Sequence, residues 1–274
     1  MTPFQAIVMA ILQGITELFP ISSLGHAVIL PALLRWNIDQ AAEGFLPFLA
    51  FMHLVTAITL FGSFWRDWLG FAVSVRRPGD GAGAADRRLF WRVVVATIPA
   101  VVVGFAFEKI LRAGFANPIL AAAFLVVNGV MLFAAERLRK SASRPLAALG
   151  WTQALIIGFW QCLALIPGMS RSGATMAGGY IAGLSHEDAA RFSFLTATPI
   201  ILGAAALEAP KLVRHHDHFG PMAVLAGAVA GVTALIAVAA LMRWFKTHEI
   251  RGFTPFAVYC WLAGLGSLAV LALR

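Results

Sequence analysis

MTPFQAIVMAILQGITELFPISSLGHAVILPALL, residues 1–34, is the stretch that decides the fold. Its apolar run, Phe4–Phe19, is cut at Pro20-Ile21-Ser22-Ser23-Leu24-Gly25-His26 and resumes, shorter, over Ala27–Leu34. The first piece has 16 residues, about 24 Å as a helix, whereas a span must cross ~30 Å of hydrocarbon. The expected structure is a re-entrant helical hairpin that dips into the bilayer and returns to its own side. Broken backbone at that depth requires protein or a water-filled cavity around it.

The same pattern occurs again. Trp151–Ile166, also 16 residues, is cut at Pro167-Gly168-Met169-Ser170-Arg171-Ser172-Gly173-Ala174-Thr175 and followed by the short run Met176–Leu184. At an offset of 148 residues Gln5 meets Gln153, Ala6 meets Ala154, Gln13 meets Gln161, Ser22 meets Ser170 and Gly25 meets Gly173. Ile7, Val8, Ile15 and Leu18 meet Leu155, Ile156, Leu163 and Ile166. Paired interruptions in corresponding halves point to a binding site at the repeat interface.

Composition sets the surroundings. Of 274 residues, 60% are hydrophobic and 12% charged, with a mean hydropathy of +0.82; a soluble domain carries roughly 25% charge. A soluble fold, a disordered chain, a disulfide scaffold and a fibrous repeat are excluded. Cys162 and Cys260 lie within apolar segments and show no metal spacing. Met1–Ala10 carries no Lys or Arg, so the first run is expected in the mature fold rather than as a cleavable signal. Six full spans are expected: Phe45–Trp65, Leu89–Phe107, Pro118–Ala135, Phe192–Leu207 (short, so with room for an earlier start), Pro221–Met242 and Thr254–Leu273. The expected fold class is therefore an all-α polytopic membrane protein, one integral domain over residues 1–274. It has six transmembrane helices plus two re-entrant hairpins, with repeats near 1–136 and 151–274.

The net charge of +8 is topology charge rather than a nucleic-acid footprint, so no nucleic-acid partner is expected. With both hairpins returning to their starting side, one face collects 13 Arg and Lys: Arg66, Arg76, Arg77, Arg87, Arg88, Arg137, Arg139, Lys140, Arg144, Arg191, Arg243, Lys246 and Arg251. The other collects 6: Arg35, Lys109, Arg112, Lys211, Arg214 and Arg274. The positive-inside rule makes the richer face cytoplasmic. Both termini then lie outside and the two hairpins enter from opposite sides, which is an inverted repeat.

Polar groups in hydrocarbon are costly and need a reason. Gln13 and Glu17, four apart, share a helix face. They read either as a buried Glu bonded to a neighbouring helix or as oxygen donors toward a divalent cation, Mg²⁺ or Ca²⁺. Ser22, Ser23 and His26 follow. One serine can cap the next helix, and a Ser–His pair can serve as nucleophile and base. Arg171 sits in the second break among Gly168, Ser170, Ser172, Gly173 and Thr175. An arginine fork, glycines that admit close approach and a helix N-terminus together make an anion pocket; the bland alternative is a snorkelling arginine. His53 reads as a residue lining the cavity behind the site or as a core histidine. His215, His216 and His218 with Asp217 read as a solvated loop, and Glu187, Asp188 and Arg191 as a capped helix start with local ion pairing.

QGITELFPISSLGH, residues 13–26, and WQCLALIPGMSRSGAT, residues 160–175, resemble the two motifs of the undecaprenyl-diphosphatase family, also called bacitracin-resistance proteins. The resemblance extends over essentially the whole chain. It implies a phosphatase of the bacterial inner membrane that converts undecaprenyl diphosphate to the monophosphate and phosphate, recycling the cell-wall lipid carrier. It also implies a required divalent cation and a site toward the outer face. By motif position Ser23, His26, Glu17 and Arg171 would be catalytic. Ser22, Gly168, Ser170, Arg171, Ser172, Gly173 and Thr175 would bind the diphosphate, with Glu17 and Gln13 toward the cation and His53 behind them. The implied partners are the polyprenyl diphosphate and the bilayer, and a homodimer is compatible with the chain. An inverted-repeat transporter or flippase for a lipid phosphate is the rival reading.

Overall fold

The computed structural model describes residues 1–38, 45–77, 83–107, 116–138, 144–214 and 221–273. The protein is an all-α polytopic membrane protein with eleven α-helices among the described residues: α1 Pro3–Thr16, α2 Ser23–Leu33, α3 Phe45–Ser63, α4 Trp65–Arg76, α5 Ala84–Ala106, α6 Pro118–Leu138, α7 Trp151–Cys162, α8 Arg171–Ile181, α9 His186–Arg214, α10 Pro221–Thr247 and α11 Thr254–Ala272. Five described helices (α5, α6, α9, α10 and α11) are long and apolar enough to cross a membrane, and α3 with α4 makes a sixth candidate. The loop bearing His215, His216, Asp217 and His218 lies outside the described residues.

The expected span Phe45–Trp65 is found as α3, which ends at Ser63. The helix breaks at Phe64 and turns by 73° into α4. Arg66, Asp67, Arg76 and Arg77 explain the turn, because a chain this charged cannot continue through hydrocarbon. The local ion pairing expected of Glu187, Asp188 and Arg191 is corrected. Arg191 pairs with Asp67 of α4, and Asp188 accepts from the Leu146 amide at 3.1 Å. The fourth span starts at His186 rather than near Phe192, with the Ser185 hydroxyl capping the Asp188 amide at 3.0 Å. Arg92, buried on α5, is met by the Ala147 carbonyl at 3.0 Å. At one end of α6 a buried polar contact escaped the sequence reading: Glu136 Oε1 lies 3.0 Å from His186 Nε2 and Oε2 accepts from the Phe253 amide at 2.7 Å.

The sequence duplication has structural counterparts. Gln5 and Gln153 do the same job at the starts of α1 and α7. Each side-chain oxygen accepts from the amide three residues earlier, Thr2 at 2.8 Å and Gly150 at 2.6 Å, satisfying a free helix-terminal donor. Ser22 and Ser170 cap α2 and α8 by accepting from the Gly25 and Gly173 amides at 3.2 and 3.0 Å. Packing partners exchange in the same way. α1 lies on α10 as α7 lies on α5, while α3 pairs with α9 and α6 with α11.

Candidate active site

The break between α1 and α2 touches the break between α7 and α8. A Cβ on Gly25 would come within 3.0 Å of the Gly168 Cα, and one on Gly173 within 3.2 Å of the Pro20 carbonyl. Gly168 is required twice over: its φ is +95°, and a Cβ there would lie 2.1 Å from the Ala121 carbonyl of α6. Side chains tie the crossing. Ser172 Oγ donates to the Phe19 carbonyl at 2.9 Å and Ser22 Oγ to the Met169 carbonyl at 3.2 Å. Ser22 itself sits at φ +70°, a conformation that costs a non-glycine residue ~1 kcal/mol or more. Its cap on Gly25 and its bond to Met169 hold it there.

At the crossing stands one carboxylate. Glu17, 6% exposed, follows the last turn of α1, its amide bonded to the Gln13 carbonyl. Its Oε1 accepts from Arg171 Nη2 at 2.8 Å. Its Oε2 accepts from Ser23 Oγ at 2.6 Å and Gln13 Nε2 at 3.1 Å, with His53 Nε2 at 3.2 Å. Ser23 and Arg171 are the first residues of α2 and α8, so two helix N-termini, each with its partial positive charge, flank the same anionic group. Arg171 also reaches the Ser193 carbonyl of α9 at 3.5 Å. Those contacts use two of the five guanidinium N–H bonds, leaving donors for a second anion.

The site residues expected from sequence fall into two groups. Gln13, Glu17, Ser23, His53 and Arg171 converge on one another. Ser22, Ser170, Ser172 and Thr175 bond protein atoms instead: Ser170 Oγ meets Ser172 Oγ at 3.0 Å, and Thr175 Oγ1 donates to the Arg171 carbonyl at 2.7 Å. Gly168 and Gly173 face protein backbone, as above. These residues build the crossing that carries the convergent five.

His26 differs from the expected Ser23–His26 pair. Its Nδ1 donates to the Ser22 carbonyl at 2.7 Å and its Nε2 is held by the Tyr259 hydroxyl of α11 at 2.8 Å. The two rings stack 5.7 Å apart. The group that accepts the Ser23 hydrogen bond is Glu17. The physical reason is helix geometry: Ser23 and His26 stand one turn apart on α2, and α1 brings the carboxylate to the serine while α11 brings the phenol to the imidazole. Tyr259 had no sequence signal, being a tyrosine in an apolar span. Asn128 of α6 was missed likewise; it donates to the Pro20 carbonyl at 2.8 Å and accepts from the Ser170 amide at 3.1 Å.

The cation question turns on oxygen donors. Among the described residues no group of three or more His, Cys, Asp or Glu could hold an ion. Gln13 Oε1 is buried without a hydrogen-bond partner, beside the Glu17 carboxylate. A hard cation bound through one carboxylate, one amide oxygen, water and phosphate oxygens fits that donor set. A self-sufficient protein cage does not.

A family model for the bacitracin resistance protein BacA matches residues 6–266. An undecaprenyl-diphosphatase of Granulibacter bethesdensis is 50% identical over 295 residues, covering 99% of this chain and 97% of its own. One of Gluconobacter oxydans is 50% identical over 281 residues, covering 100% of each, and one of Acidiphilium cryptum 49% over 279 residues, covering 99% of each. With the two breaks joined around a single carboxylate and the match running nearly end to end, the chain belongs to the bacitracin resistance protein BacA family.

Proposed function

We propose that the protein is an undecaprenyl-diphosphate phosphatase, releasing the terminal phosphate and returning undecaprenyl phosphate to cell-wall synthesis. The family and its relatives' names support the reaction. The observation that carries the site is the sharing of Glu17 by Ser23 and Arg171 at 2.6 and 2.8 Å. A hydroxyl on a carboxylate is a nucleophile beside its base, and an arginine fork next to it binds phosphate oxygens.

The mechanism follows from those contacts. The diphosphate engages the free N–H groups of Arg171 and the positive end of α8. Glu17 takes the Ser23 proton as Ser23 Oγ bonds to the terminal phosphorus, and the P–O bond to undecaprenyl phosphate breaks. Water then attacks the phosphoserine phosphorus, its proton staying with the released phosphate, while Glu17 returns its proton to the departing Ser23 oxygen and the serine hydroxyl is restored. Arg171 neutralises charge on the equatorial oxygens throughout, the larger part of catalysis in phosphoryl transfer. A Mg²⁺ or Ca²⁺ held by Glu17, Gln13 Oε1 and the phosphates would add Lewis-acid charge neutralisation.

His26 and Tyr259 form a second hydrogen-bonded pair beside the site, one turn along α2 from Ser23. Tyr259→Phe keeps the ring and loses the hydroxyl. One net hydrogen bond is worth ~1 kcal/mol, so phosphate release should fall roughly threefold to tenfold. An unchanged rate would leave Tyr259 as packing.

The inverted repeat, the outer-facing site and the outer termini are part of this proposal, supported by the 13-to-6 charge asymmetry and the exchange of packing partners. The deciding experiment is phosphate release from farnesyl or undecaprenyl diphosphate by purified protein in detergent, where transport cannot register. Release that stops with a chelator and returns with Mg²⁺ or Ca²⁺ is expected. No release by well-folded protein supplied with cation would turn the reading toward a transporter.

A further inference from the structure

The serine bonds described above join one break to the other. They do not fix the joined pair against the rest of the protein. Asn128 does. It lies mid-helix in α6, fully buried. Its Nδ2 donates to the Pro20 carbonyl at 2.8 Å and to Cys260 Sγ of α11 at 3.3 Å, and its Oδ1 accepts from the Ser170 amide at 3.1 Å.

The Pro20 carbonyl and the Ser170 amide are backbone groups that the breaks leave without a helical bond, and such groups in a membrane interior must be met by protein. Each also adjoins the chemistry. Pro20 lies three residues after Glu17, and Ser170 immediately precedes Arg171. One amide therefore bonds both strands whose side chains make the Glu17–Arg171 contact. An amide suits the place because it presents one donor and one acceptor in a rigid plane. Aspartate offers two acceptors and would face the Pro20 carbonyl with like charge. Leucine offers neither.

We infer that Asn128 is a positioning residue for phosphate release, holding Glu17 and Arg171 in register by anchoring both breaks to α6. The inference rests on the phosphatase reading for its catalytic consequence and on the bond geometry alone for its structural one. Misplacement of about an ångström in such a site is enough to slow reaction strongly.

Two measurements test it. In the first, phosphate release is compared for Asn128→Asp in the wild-type and Arg171→Ala backgrounds. Asn128→Asp should lower kcat at least tenfold with KM changed less than threefold. In the Arg171→Ala background, where no alignment remains to lose, the same change should cost less than threefold. A general folding defect would cost the same in both, since independent effects add. Equal cost in the two backgrounds, or a kcat within threefold of wild type, overturns the inference.

The second needs no activity. The Ser22→Cys, Met169→Cys pair, placed where the Ser22 hydroxyl meets the Met169 carbonyl, is oxidised in membranes. Disulfide yield should fall at least threefold when Asn128→Leu is added, and an unchanged yield overturns the inference. Should the wild-type protein release no phosphate, the phosphatase reading falls, while the cross-link still decides whether Asn128 holds the breaks together.

Discussion

Replacing Arg171 with alanine should lower phosphate release at least ~10²-fold, the cost of removing one preorganised donor to a developing anion. The geometry gives two reasons for so large an effect. Arg171 is the only basic residue in salt-bridge contact with Glu17 other than His53, among the described residues. Its side chain is 13% exposed, so its charge acts in a poorly screened setting. The variant also strands Glu17 in the interior, and breaking a buried pair from one side costs about 3–5 kcal/mol of stability. Arg171→Lys separates the two losses. Lysine restores the charge but presents a point donor in place of a planar fork, so stability should largely return while kcat stays well below wild type. Kinetics and thermal unfolding of both variants check this. Near-normal release by Arg171→Ala would remove Arg171 from the chemistry.

Much of this site was legible because the chain states it twice. Ser22 and Ser170 cap, Gly25 and Gly173 permit the crossing, and Gln5 and Gln153 close the first turns, all at one offset. The offset also exposes what the halves do not share. Since 23 + 148 = 171, Ser23 and Arg171 occupy the same slot, the first residue of a half-helix beside the break. One keeps a hydroxyl there and the other a guanidinium, so a serine and an arginine meet on Glu17 from the two sides of the crossing. Glu17 has no counterpart: position 165 is Leu165, and the site holds one carboxylate rather than two. The parts that stayed hidden are those with no local pattern. Asn128 is 108 residues from Pro20 and 42 from Ser170, and a lone amide in a span reads like any polar residue bonded to its neighbours. Tyr259 is 233 residues from His26. The bend after Ser63 leaves no mark in the hydropathy, which continues through Phe64 and Trp65; only the charges beyond them turn the helix.

Glu17→Gln should be the most damaging of the isosteric changes, lowering kcat by about 10²–10⁴-fold, the range for losing a general base. The shape is kept, so the loss isolates charge and proton affinity. A carboxylate accepts from Arg171 on one oxygen and from Ser23 and Gln13 on the other. An amide has one acceptor and one donor group. Whichever way it turns, its NH₂ faces either the guanidinium or the serine hydroxyl. With the NH₂ toward Ser23, the hydroxyl loses its acceptor. With the NH₂ toward Arg171, the guanidinium is displaced from its anchor and the oxygen near Ser23 can no longer take a proton. Glu17→Asp keeps the charge but shortens the reach by one methylene, so it cannot hold Ser23 at 2.6 Å and Arg171 at 2.8 Å together. It should fall between wild type and Glu17→Gln. Rapid-quench trapping gives a second readout. Phosphoserine at Ser23 should form in the wild type and be lost in Glu17→Gln, where no base remains to take the serine proton. A Glu17→Gln enzyme within threefold of wild type would show that the carboxylate only braces Arg171, and the proton acceptor would have to be sought at His53, the remaining titratable group in contact with the same oxygen at 3.2 Å.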